Sequence, residues 1–341
     1  MLEGITVYSG SLASAACRLM RFLLIVPFVF LTNVGWAASP GQCAHRDFAL
    51  QLLGTGGPVS DDARASSSTV LWWKGKALLL FDIGGGAYLR FGQSGASLED
   101  LAFIGLSHFH TDHVCDLPAL LKGAVFSSRS GLLPVAGPAG SKAFPGLEDF
   151  LRRQFGDGVG AYSYLSGLLK DSGSSSGSSS GRGELRLERK ELQYKDRSQV
   201  SKVYEGAGGL TVYAKSVPHG NVPTIAWRVE VGGRRIVLSP DQNGTDSEFP
   251  RFARDADLLI MPMALDESAG PGSRKMHALP SRVGEIAKES GAKVLLLNHF
   301  MGKGLRLQTE SLAEVSKHYD GHVFAGQDLF CFSFDPEARK S

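Results

Sequence analysis

The sequence predicts a single α/β domain, and three observations predict it. Short apolar runs of strand length alternate with turns marked by glycine and proline, helix-length stretches feed some of those runs, and two runs end at histidine. Residues 48–53 end in Gly54-Thr55-Gly56-Gly57-Pro58. Residues 68–73 and 77–82 are joined by the turn Lys74-Gly75-Lys76, so the three runs form a β-meander. A helical stretch at residues 97–100 leads into a strand at 102–107, which stops at a histidine cluster. The arrangement recurs late: residues 281–290 read as a helix closed by Gly291, and the strand 293–298 then runs into His299. Residues 144–169 read as helical, with Phe150, Phe155, Tyr162 and Tyr164 assigned to core packing in preference to a substrate lid.

At 341 residues, with 43% hydrophobic and 21% charged, the chain is long enough for a large buried core. Its 36 basic and 34 acidic residues leave a net charge of +2 with no basic block to follow a phosphate backbone, so nucleic acid is not an expected partner. Residues 171–183 are nearly pure serine and glycine and read as a disordered loop inside the domain.

The amino terminus reads as an export signal over residues 1–37. Arg18 and Arg21 precede the apolar run 22–31, and Gly35-Trp36-Ala37 offers small residues at a cleavage site. The alternative is an uncleaved anchor, but the run is short for a span of about 20 residues and contains Pro27. No stable membrane anchor is expected, a start at Met20 would give a shorter signal, and the mature protein is expected in the periplasm or outside the cell. Residues 38–46 then form a short linker, and 47–335 form the domain. Cys43, Cys115 and Cys331 are too few for a disulfide framework; one pair among them is open, and spacing does not choose it.

The chemistry is concentrated in Ser107-His108-Phe109-His110-Thr111-Asp112-His113. Two imidazoles two residues apart on extended backbone point to one side and suit one ion, while the carboxylate and third imidazole on the next turn reach a second. His219, Asp241 and His299 each follow a strand-like run and complete the candidate set.

These residues resemble the metallo-β-lactamase superfamily, over roughly residues 47–332. The resemblance implies a four-layer αββα sandwich with two zinc ions, other divalent transition metals being alternatives. His108, His110 and His219 match one metal's ligands, Asp112, His113 and His299 the other's, and Asp241 the carboxylate that bridges both. Asp82 matches an aspartate that supports the motif's loop. The run Leu53-Gly54-Thr55-Gly56-Gly57-Pro58, and His277 placed 22 residues before His299, look like the tRNase Z-like branch with its arylsulfatases and cyclic-nucleotide phosphodiesterases. Two departures from tRNase Z itself stand out. Met261-Pro262-Met263-Ala264 replaces the family's His-Glu-Ala-Thr, and 21 residues between His219 and Asp241 leave no room for a tRNA-gripping arm.

The expected substrate is therefore a small anionic phosphodiester or sulfate ester. A metal-bridging hydroxide would attack it, oriented by Asp112 and Asp241, with His277 as general acid to the leaving oxygen. Arg64, Arg274 and Lys275 are basic candidates for the anion, against the simpler reading of solvated surface charge. Attack at a carbonyl, as in a lactone, thioester or β-lactam, is the alternative reaction, and a non-catalytic zinc-binding module the third reading.

Overall fold

The computed structural model describes residues 42–60, 62–170 and 185–334 of the chain. The export signal, the Ser/Gly loop at 171–183 and the last residue of the expected domain lie outside them.

In chain order the strands and helices are β1 (Phe48–Gly54), β2 (Ser68–Trp73), β3 (Lys76–Phe81), α1 (Ala87–Gln93), β4 (Phe103–Gly105), α2 (Thr111–Val114), α3 (Leu117–Phe126), β5 (Gly131–Pro138), α4 (Leu147–Phe155), β6 (Leu185–Leu192), β7 (Val200–Glu205), β8 (Thr211–Ser216), β9 (Ile225–Val231) and β10 (Arg234–Leu238). They continue with α5 (Phe249–Phe252), β11 (Leu258–Pro262), α6 (Pro271–Arg274), α7 (Pro280–Ser290), β12 (Val294–Asn298), α8 (Gly302–Arg306), α9 (Gln308–His318), β13 (His322–Ala325) and β14 (Cys331–Ser333).

Two seven-stranded mixed sheets result, ordered β14-β1-β2-β3-β4-β5-β6 and β13-β12-β11-β10-β9-β8-β7. Period-2 alternation of apolar residues builds the layers, because successive side chains leave a strand on opposite faces. On β1 to β4, Leu50, Leu52, Leu71, Leu79, Phe81 and Phe103 point into the space between the sheets. Their neighbours Ala49, Leu53, Val70, Trp72, Leu80 and Ile104 point outward onto α1, α3 and α4. The second sheet mirrors this: Ile236, Leu258, Ile260 and Leu296 face inward. Val237, Leu259, Leu295 and Leu297 face α5, α7 and α9. Both faces of each sheet are covered, which is why these strands read as continuous apolar runs, and the order of layers is helix, sheet, sheet, helix. Gln51 interrupts the pattern on β1, and its amide is satisfied by accepting from Trp72 Nε1 (3.1 Å) and donating to the Leu329 carbonyl (3.2 Å).

The structure departs from the sequence reading at four places. Residues 98–100 form a turn; the helix of that region is α1, ten residues earlier, whose only deeply buried side chains are Ala87 and Phe91. Residues 144–169 divide into α4 and a 3-10 turn, Ser163–Leu169. Phe155 is buried there and Phe150 half-buried, but Tyr162 (38% exposed) and Tyr164 (66%) stand on the surface and do not belong to the core. The expected linker is part of the domain from Gln42: Cys43 is fully buried and disulfide-bonded to Cys331, with Cα atoms 5.7 Å apart, while Cys115 is free and exposed. A helix closed by Gly291 stands where expected, with Gly291 left-handed at φ 65°.

Candidate metal centre

Every side chain of the centre leaves the carboxyl end of a strand. Asp82 follows β3, His108 to His113 follow β4, His219 follows β8, Asp241 follows β10 and His299 follows β12. Parallel strands present their carboxyl ends on one rim, and ligands in α/β sheets gather there. The two sheets also meet at this rim through backbone: Ile225 N donates to Ser107 O (2.9 Å), and Phe300 N donates to Thr55 O (2.8 Å).

Two donor sets form. His108, His110, His219 and Asp241 have ligand atoms within 4.8 Å of one another, as do Asp112, His113, Asp241 and His299. In the first, His108 Nε2 lies 3.1 Å from His110 Nδ1, which is 3.5 Å from His219 Nε2; Asp241 Oδ2 is 3.6 Å from His219 Nε2 and 3.9 Å from His108 Nε2. In the second, His299 Nε2 is 3.2 Å from Asp112 Oδ2, 3.2 Å from Asp241 Oδ1 and 3.4 Å from His113 Nε2. A tetrahedral zinc ion with bonds of about 2.1 Å holds neighbouring ligand atoms about 3.4 Å apart. The donors therefore fit one divalent ion in each set, with the two oxygens of Asp241 serving one set each or both.

Supporting contacts fix which nitrogen faces inward for His113 and His219. Asp82 Oδ2 accepts from His113 Nδ1 (2.8 Å) and the Ser107 hydroxyl (2.7 Å), and Oδ1 accepts from Ser107 N (2.7 Å). His219 Nδ1 donates to the Met276 carbonyl (2.7 Å). Both arrangements leave Nε2 free to face a cation, the usual carboxylate or carbonyl brace behind a ligating imidazole. Asp82 and His299 have left-handed backbone, φ 56° and 54°, a strained conformation held at Asp82 by these bonds and at His299 by the flanking backbone bonds from Met263 N to Asn298 O and from Phe300 N to Thr55 O (2.8 Å each). Glycines make room: a Cβ on Gly57 would sit 2.9 Å from His299 Cε1, and one on Gly84 only 2.1 Å from the Asp112 carbonyl.

The electrostatics match the donor role for three of the five rings and favour positive charge at the centre as a whole. Burial and the neighbouring His113 hold His108 well below the ordinary imidazole range, and burial also lowers His110 and His219, so these three rings are uncharged with lone pairs available. Burial opposes ionisation of Asp241 and Asp112, yet His299 and its neighbours outweigh it and hold both carboxylates low. His113 and His299 are pushed the other way: burial disfavours their protonation, but Asp241, aided by Asp82 for His113 and by Asp112 for His299, wins. The site attracts positive charge.

All seven sequence-derived donors thus converge. His277 joins them at the rim, 8% exposed, with Nδ1 3.9 Å from Asp241 Oδ1 and no hydrogen-bond partner among the described residues. Burial lowers its pKa to about 4, below the working range that the general-acid expectation assumed. Of the three basic candidates, Arg64 is neither solvated nor free: it pairs with Asp62 (2.6 Å), donates to Thr55 Oγ1 and Gly326 O (2.8 Å each) and lies over the Phe300 ring. Arg274 and Lys275 are exposed. Sequence reasoning missed the Met276 carbonyl, which carries no side-chain signal. It also missed Phe144, whose ring stands 5.9 Å from that of His110, and the stack of Phe109 on Phe150 (4.6 Å) that ties α4 to the histidine motif. The 21 residues between His219 and Asp241 are taken up by β9, β10, the turn between them and the short connections 220–224 and 239–240.

Two family models match the chain: a metallo-beta-lactamase superfamily model over residues 61–146 and a beta-lactamase superfamily domain over residues 167–300. Among curated proteins, ribonuclease Z of Methanosarcina acetivorans is 28% identical over 306 residues, covering 82% of this chain and 96% of the relative. Ribonuclease Z of Mycobacterium bovis is 26% identical over 298 residues, with the same coverage. Among solved structures, the short form of human tRNase Z superposes with a TM-score of 0.63 at 22% identity, covering 84% of this chain and 99% of that one. The metallo-beta-lactamase fold protein YhfI of Bacillus subtilis gives 0.60 at 22% identity, covering 84% and 98%.

These relatives overturn the expectation that nucleic acid is not a partner. Relatives spanning 82% of the chain are named for a ribonuclease. The physical error lies in the charge argument: a basic block measures how strongly a surface tracks a whole backbone, whereas a metal centre grips one phosphodiester locally. Among the described residues no helix is long and apolar enough to cross a membrane.

Proposed function

The chain belongs to the metallo-β-lactamase superfamily and is a metal-dependent hydrolase; on that premise we propose that it is a two-zinc phosphodiesterase, with RNA and nucleotide phosphodiesters within its substrate class. The observation that carries the reading is the pair of donor sets joined at Asp241. Such a pair of ions, when bound, supplies a nucleophilic water and charge stabilisation for in-line displacement at phosphorus.

The chain's own residues do the rest. Asp112 and Asp241, ionised at neutral pH, accept hydrogen bonds and so orient the attacking water. Asp82 and the Met276 carbonyl hold His113 and His219 in register. His277 stands at the rim as the donor toward the leaving oxygen; with a pKa of about 4 it is uncharged at neutral pH and offers a neutral N–H. Phe144, half-buried beside His110, flanks the centre as an apolar wall for the group attached to the phosphate. Neither attack on a sulfate ester nor attack at a carbonyl carbon demands a different donor set, so both stay in the test as competing substrates.

Export belongs to the same proposal. It rests on residues 1–37 and on the buried Cys43–Cys331 disulfide, since such bonds persist in oxidising compartments.

Zinc-loaded protein assayed on a 3′-extended tRNA, a cyclic nucleotide, bis(p-nitrophenyl) phosphate, an aryl sulfate and a lactone tests the reading. Phosphodiesters are expected to turn over fastest by at least an order of magnitude in kcat/KM. Faster turnover of the sulfate or the lactone refutes it. Mass analysis of the secreted fraction should place the mature amino terminus near Ala38, and an intact terminus in the cytosol refutes export.

A further inference from the structure

Between the sheets, against the inner side of the metal centre, lies a cavity of about 30 Å³. Thr69, Asp82, Trp227, Ser239, Asp241 and Asn298 are among the residues that line it. Three of these side chains are deeply buried and carry a polar atom without a hydrogen-bond partner among the described residues: Asp241 Oδ1, which belongs to the metal centre, Trp227 Nε1, on a residue 1% exposed, and Asn298 Oδ1, on a residue 8% exposed; the last two stand outside the donor sets. An indole N–H can only donate and an amide oxygen can only accept. The pair is complementary, yet the two atoms do not bond to each other. Leaving both unsatisfied in a dry interior is unfavourable.

Cavity size and lining decide what fills it. A water needs roughly 10 to 15 Å³ and two to four polar partners, whereas dry cavities are lined by apolar side chains alone. Here Thr69 and Ser239 line the space with the indole and the amide, the Ser239 hydroxyl already donating to the Pro240 carbonyl and accepting from Gln242 Nε2, and the volume suits two molecules.

We propose that the cavity binds two ordered waters that accept from Trp227 Nε1–H and donate to Asn298 Oδ1, making Trp227 and Asn298 positioning residues for the adjoining His299. The route is short. Asn298 is the last residue of β12, and His299 follows it with left-handed backbone, φ 54°. The Asn298 carbonyl is fixed by Met263 N (2.8 Å). Holding the side chain as well sets where the strand ends and where the imidazole stands against Asp112 and Asp241.

The test uses the zinc-loaded chain and two variants. Trp227→Phe removes the donor and keeps a ring; Asn298→Leu removes the acceptor at similar size. High-resolution crystallography of the unaltered protein should show two waters in the cavity, with at least one lost in each variant. The zinc dissociation constant should rise roughly 10- to 100-fold, the usual effect of losing a brace behind a ligand. Ile260→Val, which changes only apolar lining, should lower the melting temperature and leave zinc affinity unchanged. A dry cavity that takes up xenon overturns the proposal, and so does wild-type zinc affinity in Trp227→Phe. If Asn298→Leu does not fold, the waters of the unaltered protein and the affinity of Trp227→Phe still decide.

Discussion

Asp82 Oδ2 lies 2.8 Å from His113 Nδ1, so a carboxylate on the first sheet sets the orientation of an imidazole whose other nitrogen faces Asp112 and Asp241. The same carboxylate binds Ser107 through its backbone N–H and its hydroxyl, at 2.7 Å each. Asp82→Asn keeps a residue that tolerates its φ of 56° but replaces the anionic acceptor. Zinc affinity or turnover should fall about 10- to 100-fold, read by chelator competition. Unchanged affinity would reduce Asp82 to a turn residue.

Gly57→Ala tests whether the glycine-rich loop after β1 shapes the centre. The new Cβ would meet His299 Cε1 and Met301 Sδ, both at 2.9 Å. Zinc bound through Asp112, His113 and His299 should loosen while the circular dichroism spectrum stays native. Gly92→Ala serves as the control: nothing lies within 4 Å of its Cβ, and in α1 the change should stabilise by about 0.5 to 1 kcal/mol. Equal zinc binding in both variants would contradict the steric argument.

The Cys43–Cys331 bond closes a loop across a sequence separation of 288, joining the segment before β1 to β14. Replacing both cysteines with serine should cost about 2 to 5 kcal/mol, seen as a lower urea midpoint with unchanged zinc stoichiometry. Identical denaturation curves with and without reductant would show the bond to be dispensable.

Asp257 gives the acid limb of stability. Burial raises its pKa, but hydrogen bonds from Lys293 Nζ (2.9 Å), Arg235 N (2.9 Å) and Arg234 (3.1 Å) outweigh that and hold it below the ordinary value. A carboxyl lowered in the folded state stabilises fully above its unfolded pKa of about 3.9 and loses that contribution as pH falls through the folded value. Urea unfolding should therefore weaken below about pH 4, and Asp257→Asn should flatten that limb. An unaltered slope in the variant would assign the acid sensitivity elsewhere.

His277→Ala separates hydrogen-bond donation by the neutral imidazole N–H from metal binding. Zinc content should stay near wild type, while turnover falls by roughly 10- to 100-fold, the effect of losing one hydrogen bond to a charged oxygen. The loss should shrink for nitrophenolate leaving groups, whose spread charge needs little hydrogen-bond stabilisation. Equal losses on good and poor leaving groups would point to substrate positioning instead, and Asp112→Ala should differ by loosening metal as well.

Much of this was legible in the chain. The cluster from His108 to His113 names its own chemistry, because four donors in six residues at that spacing have few other uses. Strands such as β2 and β12 announce themselves as apolar runs between turn residues, and α7 through its closing Gly291. By contrast α1 stands ten residues before the helical stretch read at 97–100, since Ala87 and Phe91 are too few to give a helical period.

What the sequence determined by itself was therefore local: donor identity, strand periodicity and the class of chemistry, all fixed by spacing along one stretch of chain. Tertiary structure decided the rest. Pairing Cys43 with Cys331 required β1 and β14 to be neighbours. The brace on His219 is a backbone carbonyl 57 residues away, and every residue has one. The stack of Phe109 on Phe150 and the cavity beside Asn298 exist only once separate strands and helices are packed. Contacts of this kind depend on distance in space, and the chain's one-dimensional order records it only where turns and pleats keep neighbours in register.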